Sequence, residues 1–315
     1  MPISSTSLLR LAAATLLLLI AFSAFAQEKA AMNWPVKLDK SFSKSAPISS
    51  QQVVLNNKFG AMQIETWDKK EVKIEAVINV ASRDNETAQE MLDRISIDEL
   101  SSNEKIGFRT LWKENQQNWN NGKSYEIKVN YKVWLPNGTK LIAENSFGPL
   151  TIGDYAGQAE LISKYGNLTA GKLSKGVMVR IEFGKSDIVS LSDGELVLKY
   201  SKTNINSLSG DINAVFEFSS GLDLPLSNSL KKFTVKANYS SLYFLTETGF
   251  NADYDLVFNN GSASGKGSIK LTETTEQRSI GYSPTKKYKG SIGKGGDTQI
   301  TLKSNFGSLR ILGGS

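Results

Sequence analysis

The chain has 315 residues, 37 basic and 31 acidic side chains and a net charge of +6, and it contains neither histidine nor cysteine. Without those two residue types the usual zinc, copper and haem sites cannot be built, nor can Ser-His-Asp or Cys-His catalysis, and disulfides and a lipid-modified N-terminal cysteine are excluded. The mild basic excess is spread along the chain and no nucleic-acid-binding motif accompanies it, so nucleic acid is not an expected partner.

The chain opens as an export signal. Arg10 precedes the apolar run from Leu11 to Phe22, and Ala24-Phe25-Ala26 supplies the small-x-small pattern read by a signal peptidase, placing cleavage before Gln27. The run is about a dozen residues, short of the roughly 20 that span a bilayer. Residues 1–26 are therefore expected to be removed during Sec export, leaving no transmembrane segment. The expected location is the periplasm, the outer membrane or the cell surface.

Residues 27–50 read as a leader, Ser-rich toward its end and interrupted by Pro47. Residues 51–138 read as an N-terminal β region. Within it, Val72, Ile74, Ala76, Ile78 and Val80 alternate with Lys73, Glu75 and Asn79, the period of a strand with one buried face. Ala88, Met91, Leu92 and Ile95 then follow the Asp84-Asn85 start signal at i, i+3, i+4 and i+7, which predicts a short helix over about 86–95. A strand from Ile106 to Lys113 leads into a polar connection broken only by Trp119, then into the alternating run Tyr125 to Leu135, which Pro136-Asn137-Gly138 ends.

From residue 139 a repeat takes over. Phe147-Gly148, Tyr165-Gly166, Phe183-Gly184, Tyr200-Ser201, Phe218-Ser219, Tyr239-Ser240 and Phe258-Asn259 follow one another at 18, 18, 17, 18, 21 and 19 residues. Counted from each ring, position +8 is Tyr155, Leu173, Leu191, Leu208 and Leu226, position +5 is Ile152, Ala170, Ile188 and Ile205, and a glycine recurs ten or eleven residues on. A period of this size marks stacked coils that cannot bury their apolar faces singly. The expected fold is all-β, a single-stranded, right-handed β-helix or β-solenoid over 139–315, continuous with the N-terminal region and its helix-bearing insertion. A β-sandwich is the competing architecture, but it has no reason to hold three residue classes in one phase. Like residues would stack at about 4.8 Å, placing the rings inside as ladder rungs, with the small residues after them tolerating positive φ at the corners.

Three segments share an Asn and aromatic-Gly signature: Asn57 with Phe59-Gly60, Asn145 with Phe147-Gly148, and Asn305-Phe306-Gly307. With Val133-Trp134-Leu135-Pro136-Asn137-Gly138 ahead of the second, the chain resembles the putative adhesin family of exported bacterial β-strand-repeat proteins, akin to adhesin-head domains, over most of residues 50–312. The resemblance implies a β-solenoid, export and a role in adhesion or at the envelope. It transfers no catalytic residue.

Chemistry was sought among the residues that composition leaves available. Asp187, Asp193, Glu195 and Asp211 are the carboxylates within the coils that could flank a glycosidic bond, although Asp193-Gly194 and Gly210-Asp211 are also ordinary turn pairs. Gly295-Gly296-Asp297 resembles one fragment of a calcium nonapeptide but occurs once. Lys286, Lys287, Lys289 and Lys294 form the densest basic stretch, a contact for anionic polymers or a solvated loop. Trp112 and Trp119 are the candidate ligand-binding residues, because an indole among amide side chains suits stacking on sugar rings. The sequence thus points to a non-enzymatic scaffold without cofactor. Its expected partner is a polysaccharide or protein at the envelope or on a host or matrix surface. A carbohydrate-active β-helix enzyme and a periplasmic accessory binding lipid or envelope polymers are the alternatives.

Overall fold

The computed structural model describes residues 33–113, 123–174, 176–267, 269–275 and 284–313. The protein is all-β with one short helix, Asn85–Asp93, among the described residues. All 22 of their strands join in one hydrogen-bonded sheet, nearly closed around a single continuous core.

Parallel pairing builds two faces, joined at the ring corners. On the first lie, in stacking order, Lys105–Trp112, Gln52–Lys58, Leu141–Ser146, Ala159–Lys164, Met178–Glu182, residues 195–199, 212–217 and 232–238, Thr298–Asn305 and Ala252–Asn259. The second runs from Tyr125–Pro136 through Met62–Trp67, Leu150–Ile152, Asn167–Leu173, residues 185–191 and Lys202–Ile205. It resumes with residues 220–226, Ser241–Thr246, Ser308–Gly313 and Ser262–Lys266. The aliphatic columns expected from the sequence are present: Ile152, Ala170, Ile188 and Ile205 stack inside, as do Tyr155, Leu173, Leu191, Leu208 and Leu226. A fully buried leucine stabilises by about 1.5–3 kcal/mol, so these columns hold successive coils together.

Stacking order departs from chain order at both ends. Gln52–Lys58 lies between Lys105–Trp112 and Leu141–Ser146, and Thr298–Asn305 lies between residues 232–238 and Ala252–Asn259. Antiparallel strands close the stack. Val36–Pro47, within the segment read as a leader, pairs with Glu71–Ser82, which pairs with Tyr125–Pro136. Ile95–Ser101 covers Lys105–Trp112, and Thr285–Ile292 covers Ala252–Asn259. Lys286, Lys287 and Lys289 lie on that last strand, whose far edge is in turn bonded by Thr272 and Thr274.

The helix begins where the sequence signals it. Asp84 caps it by accepting from the Thr87 backbone N–H at 2.7 Å, a bond that holds its carboxyl below the usual aspartate range. Ala88, Met91 and Leu92 are buried, and the helix packs on Val36–Pro47 and Glu71–Ser82. It ends two residues before the expected limit because Ile95, fully buried, starts the next strand.

The structure overturns the expected placement of the rings. Phe147, Tyr165, Phe183, Tyr200, Phe218, Tyr239 and Phe306 are 47–53 % exposed, on the outside of the corner. Each is in the left-handed region, with φ between 50° and 60°. One such residue breaks the period-two alternation of a strand and swings its side chain to the opposite face. Phe258 is not part of the series, for it is buried and meets Tyr288 edge-on; the corner of its coil is Asn260, with φ 54°.

The small residue after each ring also has a different cause from the expected one. Gly60, Gly148, Gly166 and Gly184 do not carry the positive φ. A Cβ added at Gly148, Gly166 or Gly184 would lie 1.9–2.1 Å from the carbonyl oxygen of the preceding coil's glycine, so close stacking of backbones requires glycine there. In the next coils Ser201, Ser219 and Ser240 take over, and their hydroxyls accept from the backbone N–H of Gly184, Ser201 and Ser219, each at 3.2 Å.

Candidate functional site

The ring corners form a continuous exposed ridge. Phe59, Phe147, Tyr165, Phe183, Tyr200, Phe218, Tyr239 and Phe306 stack with centroids 4.7–5.5 Å apart and planes within 10° of parallel. Eight rings at seven steps of about 4.8 Å give a ridge on the order of 34 Å long. The geometry is offset stacking, with each ring face against its neighbour and the rims toward water.

The backbone beneath is the same at every rung. The ring residue's N–H donates across to the next coil, as in Tyr165 to Glu182 O and Tyr200 to Glu217 O, both 2.9 Å. Asn260 repeats this corner without a ring: it has the same left-handed φ, is followed by Gly261, and donates to Pro284 O at 2.7 Å. The fold therefore does not need an aromatic residue at this position. The rings do stabilise the stack, since each offset-stacked pair contributes about 0.5–1.5 kcal/mol beyond the area it buries, against the roughly 1–2 kcal/mol that left-handed backbone costs a non-glycine residue. Asparagine adopts that conformation more readily, and half of each ring remains in water.

Polar columns flank the ridge. On the first face the outward residues next to the rings are Ser146, Lys164, Glu182, Lys199, Glu217, Asn238, Asn305 and Asn259, in register. Lys199 pairs with Glu217 at 3.1 Å, Asn305 donates to Asn238 at 2.8 Å and Asn259 to Asn305 at 2.9 Å. On the second face the corresponding positions are Asn167, Lys185, Lys202, Ser241 and Ser308. Phenol hydroxyls project from alternate central rungs, at Tyr165, Tyr200 and Tyr239, with phenylalanine between them.

Of the sequence-derived site residues, Trp112 lies at the ridge's end. The register that pairs Asn56 with Arg109 places it level with Phe59, and the two rings meet edge-on at 6.2 Å. It is a terminal member of the series, which sequence spacing could not show because the helix-bearing insertion separates it from the other coils. Trp119 lies outside the described residues, as do Ala24, Ala26 and Gln27. A second aromatic pair was missed. Trp67 stacks on Trp134 at 6.2 Å with Lys69, Lys73 and Lys132 over the rings, and Trp134 Nε1 donates to Glu65 at 2.8 Å.

Several of the candidate carboxylates are engaged in contacts between coils. Asp193, Glu195, Asp211 and Glu160 do line one open groove of about 520 Å³. Yet Asp193 accepts from the Asp211 N–H at 3.0 Å, as Asp154 does from the Lys172 N–H at 2.7 Å one face back, so both cap the following coil's turn. Asp187 accepts from Asn204 Nδ2 at 2.8 Å. Asp297 receives Asn251 Nδ2 at 3.0 Å, and among the described residues no cluster of three acidic side chains could hold a metal ion.

The Asn signature divides on inspection. Asn57 and Asn145 point inward: Asn57 Nδ2 donates to Val129 O at 2.8 Å and to Asn145 Oδ1 at 3.0 Å, while Thr110 donates to Asn57 and shares a hydrogen bond with Tyr131. Burial raises the Tyr131 phenol well above its usual range. Asn305, one position nearer its ring, belongs instead to the outer column.

No protein-family model matches the chain, and no curated protein matches it. Among solved structures it is similar to a putative adhesin from Bacteroides fragilis NCTC 9343, at 9 % identity and TM-score 0.42 over 86 % of this chain and 97 % of that one. It is similar also to a putative cell adhesion protein from Clostridium sporogenes ATCC 15579, at 11 % identity and TM-score 0.25 over 88 % and 100 %. A putative lipid binding protein from Parabacteroides distasonis ATCC 8503 aligns at 12 % identity and TM-score 0.26 over 86 % and 96 %. At these scores the likeness carries no conclusion about a ligand. Among the described residues no helix is long and apolar enough to cross a membrane, which says nothing of strands.

Proposed function

We propose that this chain is an exported, non-enzymatic binding protein of the bacterial envelope, a β-solenoid that attaches to polymers or proteins along its aromatic ridge. The observation that carries the reading is Asn260, a corner with the same backbone and no ring. It supports reading the rings as more than corner fillers, with their exposed surface available for recognition. Exposed aromatic rims bordered by charged and amide side chains resemble the composition of binding surfaces, where aromatic bodies supply apolar area and polar rims supply direction.

Export rests on the Arg10 to Gln27 pattern, with residues 1–26 removed; the strand Val36–Pro47, within the expected leader, already belongs to the sheet. Trp112, edge-on against Phe59, extends the same surface. Extended repetitive surfaces bind through many weak contacts, so attachment is expected to be cumulative along the ridge.

Attachment of the purified protein to polysaccharide-coated and protein-coated surfaces tests this reading. Replacing Tyr165, Tyr200 and Tyr239 together by Asn should reduce attachment at least tenfold; the variant loses stacked contacts and melts at a lower temperature, so attachment is compared well below its midpoint, with circular dichroism showing the β fold retained. Equal attachment of the variant and the native protein on every surface would remove the ridge as the binding site.

A further inference from the structure

The spacing of the ridge selects among linear polymers. A peptide strand laid along it would advance about 3.3 Å per residue, so its side chains would fall in and out of step with rings spaced 4.7–5.5 Å apart. An extended β-1,4-linked pyranose chain advances by one sugar-ring length, close to one coil. It also turns over from sugar to sugar, so its chemical repeat is two sugars.

The ridge has the same two-step repeat: Tyr165, Tyr200 and Tyr239 alternate with phenylalanine. Their hydroxyls make no hydrogen bond to another described residue and are free to meet a ligand. With the ring faces taken by neighbouring rings, the rims form an apolar strip that the C–H groups of a pyranose can cover, and the columns through Lys199 and Asn238 on one side and Lys185 and Lys202 on the other flank it with groups that bond hydroxyls.

Resting on the ridge as the attachment surface, we infer that its occupant is an extended, β-1,4-linked polysaccharide lying parallel to the stack, one sugar per ring, with tyrosines meeting every second sugar. A helically coiled α-1,4-linked glucan changes direction too quickly to follow a straight row of eight rings.

Binding of soluble β-1,4-linked gluco-oligosaccharides of increasing length to the full-length protein, followed by calorimetry, reads this directly. Affinity should rise with each sugar and level off near eight units. The matched α-1,4-linked series should bind at least tenfold more weakly at equal length, and the triple Tyr165→Asn, Tyr200→Asn, Tyr239→Asn variant should lose at least tenfold for the longest β-linked oligomer. Trp134→Ala, on a separate aromatic pair, should leave the affinity unchanged. Should the α-linked series bind equally, or affinity fail to grow with length, the polysaccharide inference falls. If at the same time the triple variant still loses attachment to coated surfaces, the ridge itself stands and its occupant is another class of molecule.

Discussion

Phe216 and Phe218 are two residues apart, chemically identical and opposite in every consequence. Phe216 is fully buried and lies in the inward column with Leu198 and Ala237, whereas Phe218 is 47 % exposed and stacks between Tyr200 and Tyr239. In an ordinary strand both would face the same way. The left-handed φ of 51° at Phe218 separates them. Burial accounts for the whole of the interior set, while the ridge set keeps about half its surface in water, the part that the proposed function gives to recognition.

That division can be broken by experiment. The largest effect is expected from Phe216→Ala, which should cost about 3–5 kcal/mol in chemical denaturation because it opens a cavity in a closed stack. Phe218→Asn, which removes two stacked contacts but keeps a residue at ease with the corner, should cost less, about 1–2 kcal/mol. Comparable losses from both substitutions would show that the ridge is structural after all. Gly166→Ala should cost about 1–3 kcal/mol, since its Cβ would meet the Gly148 carbonyl oxygen at 2.1 Å and the coils must separate to admit it.

Alkaline unfolding examines the interior from another side. Tyr131 and Tyr155 are buried, and desolvation raises both phenols above the ordinary tyrosine value of 10.0. A raised folded pKa means that the unfolded chain loses these protons first. The stabilisation is therefore complete below pH 10 and declines as pH climbs above it, by up to about 1.4 kcal/mol per pH unit for each group. Denaturant midpoints measured from pH 9 to 11 should fall, and less steeply in Tyr131→Phe. The smallest effect, and the one that sharpens the comparison most, is expected from Asn260→Tyr. It adds a rung beyond Phe306 and should change stability by about 1 kcal/mol or less.

Much of this was legible in the residues. The period, the aliphatic columns at +5 and +8 and the Asp84 helix start each reflect local chemistry repeated in phase. The direction of the rings was harder to read, because a repeating aromatic suits an inner ladder equally well. A signal did exist: Leu161 and Leu168, or Leu198 and Ile205, are inward residues on either side of a corner and lie seven apart, an odd interval. Alternation cannot cross an odd interval without one residue in an exceptional conformation. Trp112's place beside Phe59 could not be read, since it depends on the register between strands separated by the helix-bearing insertion. The inward Asn57 and the outward Asn305 looked alike for a similar reason, as their offsets from the ring differ by one residue.

The wedge formed by Thr298–Asn305 and Ser308–Gly313 has a further consequence. These strands come late in the chain, yet they sit between residues 232–246 and 252–266, which were made earlier. The coil of residues 252–266 can dock only after its successor has slid beneath it. Pairings of such long sequence separation form slowly, so this end of the stack should be the last to assemble. If the chain is exported N-terminus first, as proposed, it can begin its ridge at Phe59 but cannot extend it to Phe306 until residues 298–313 have emerged.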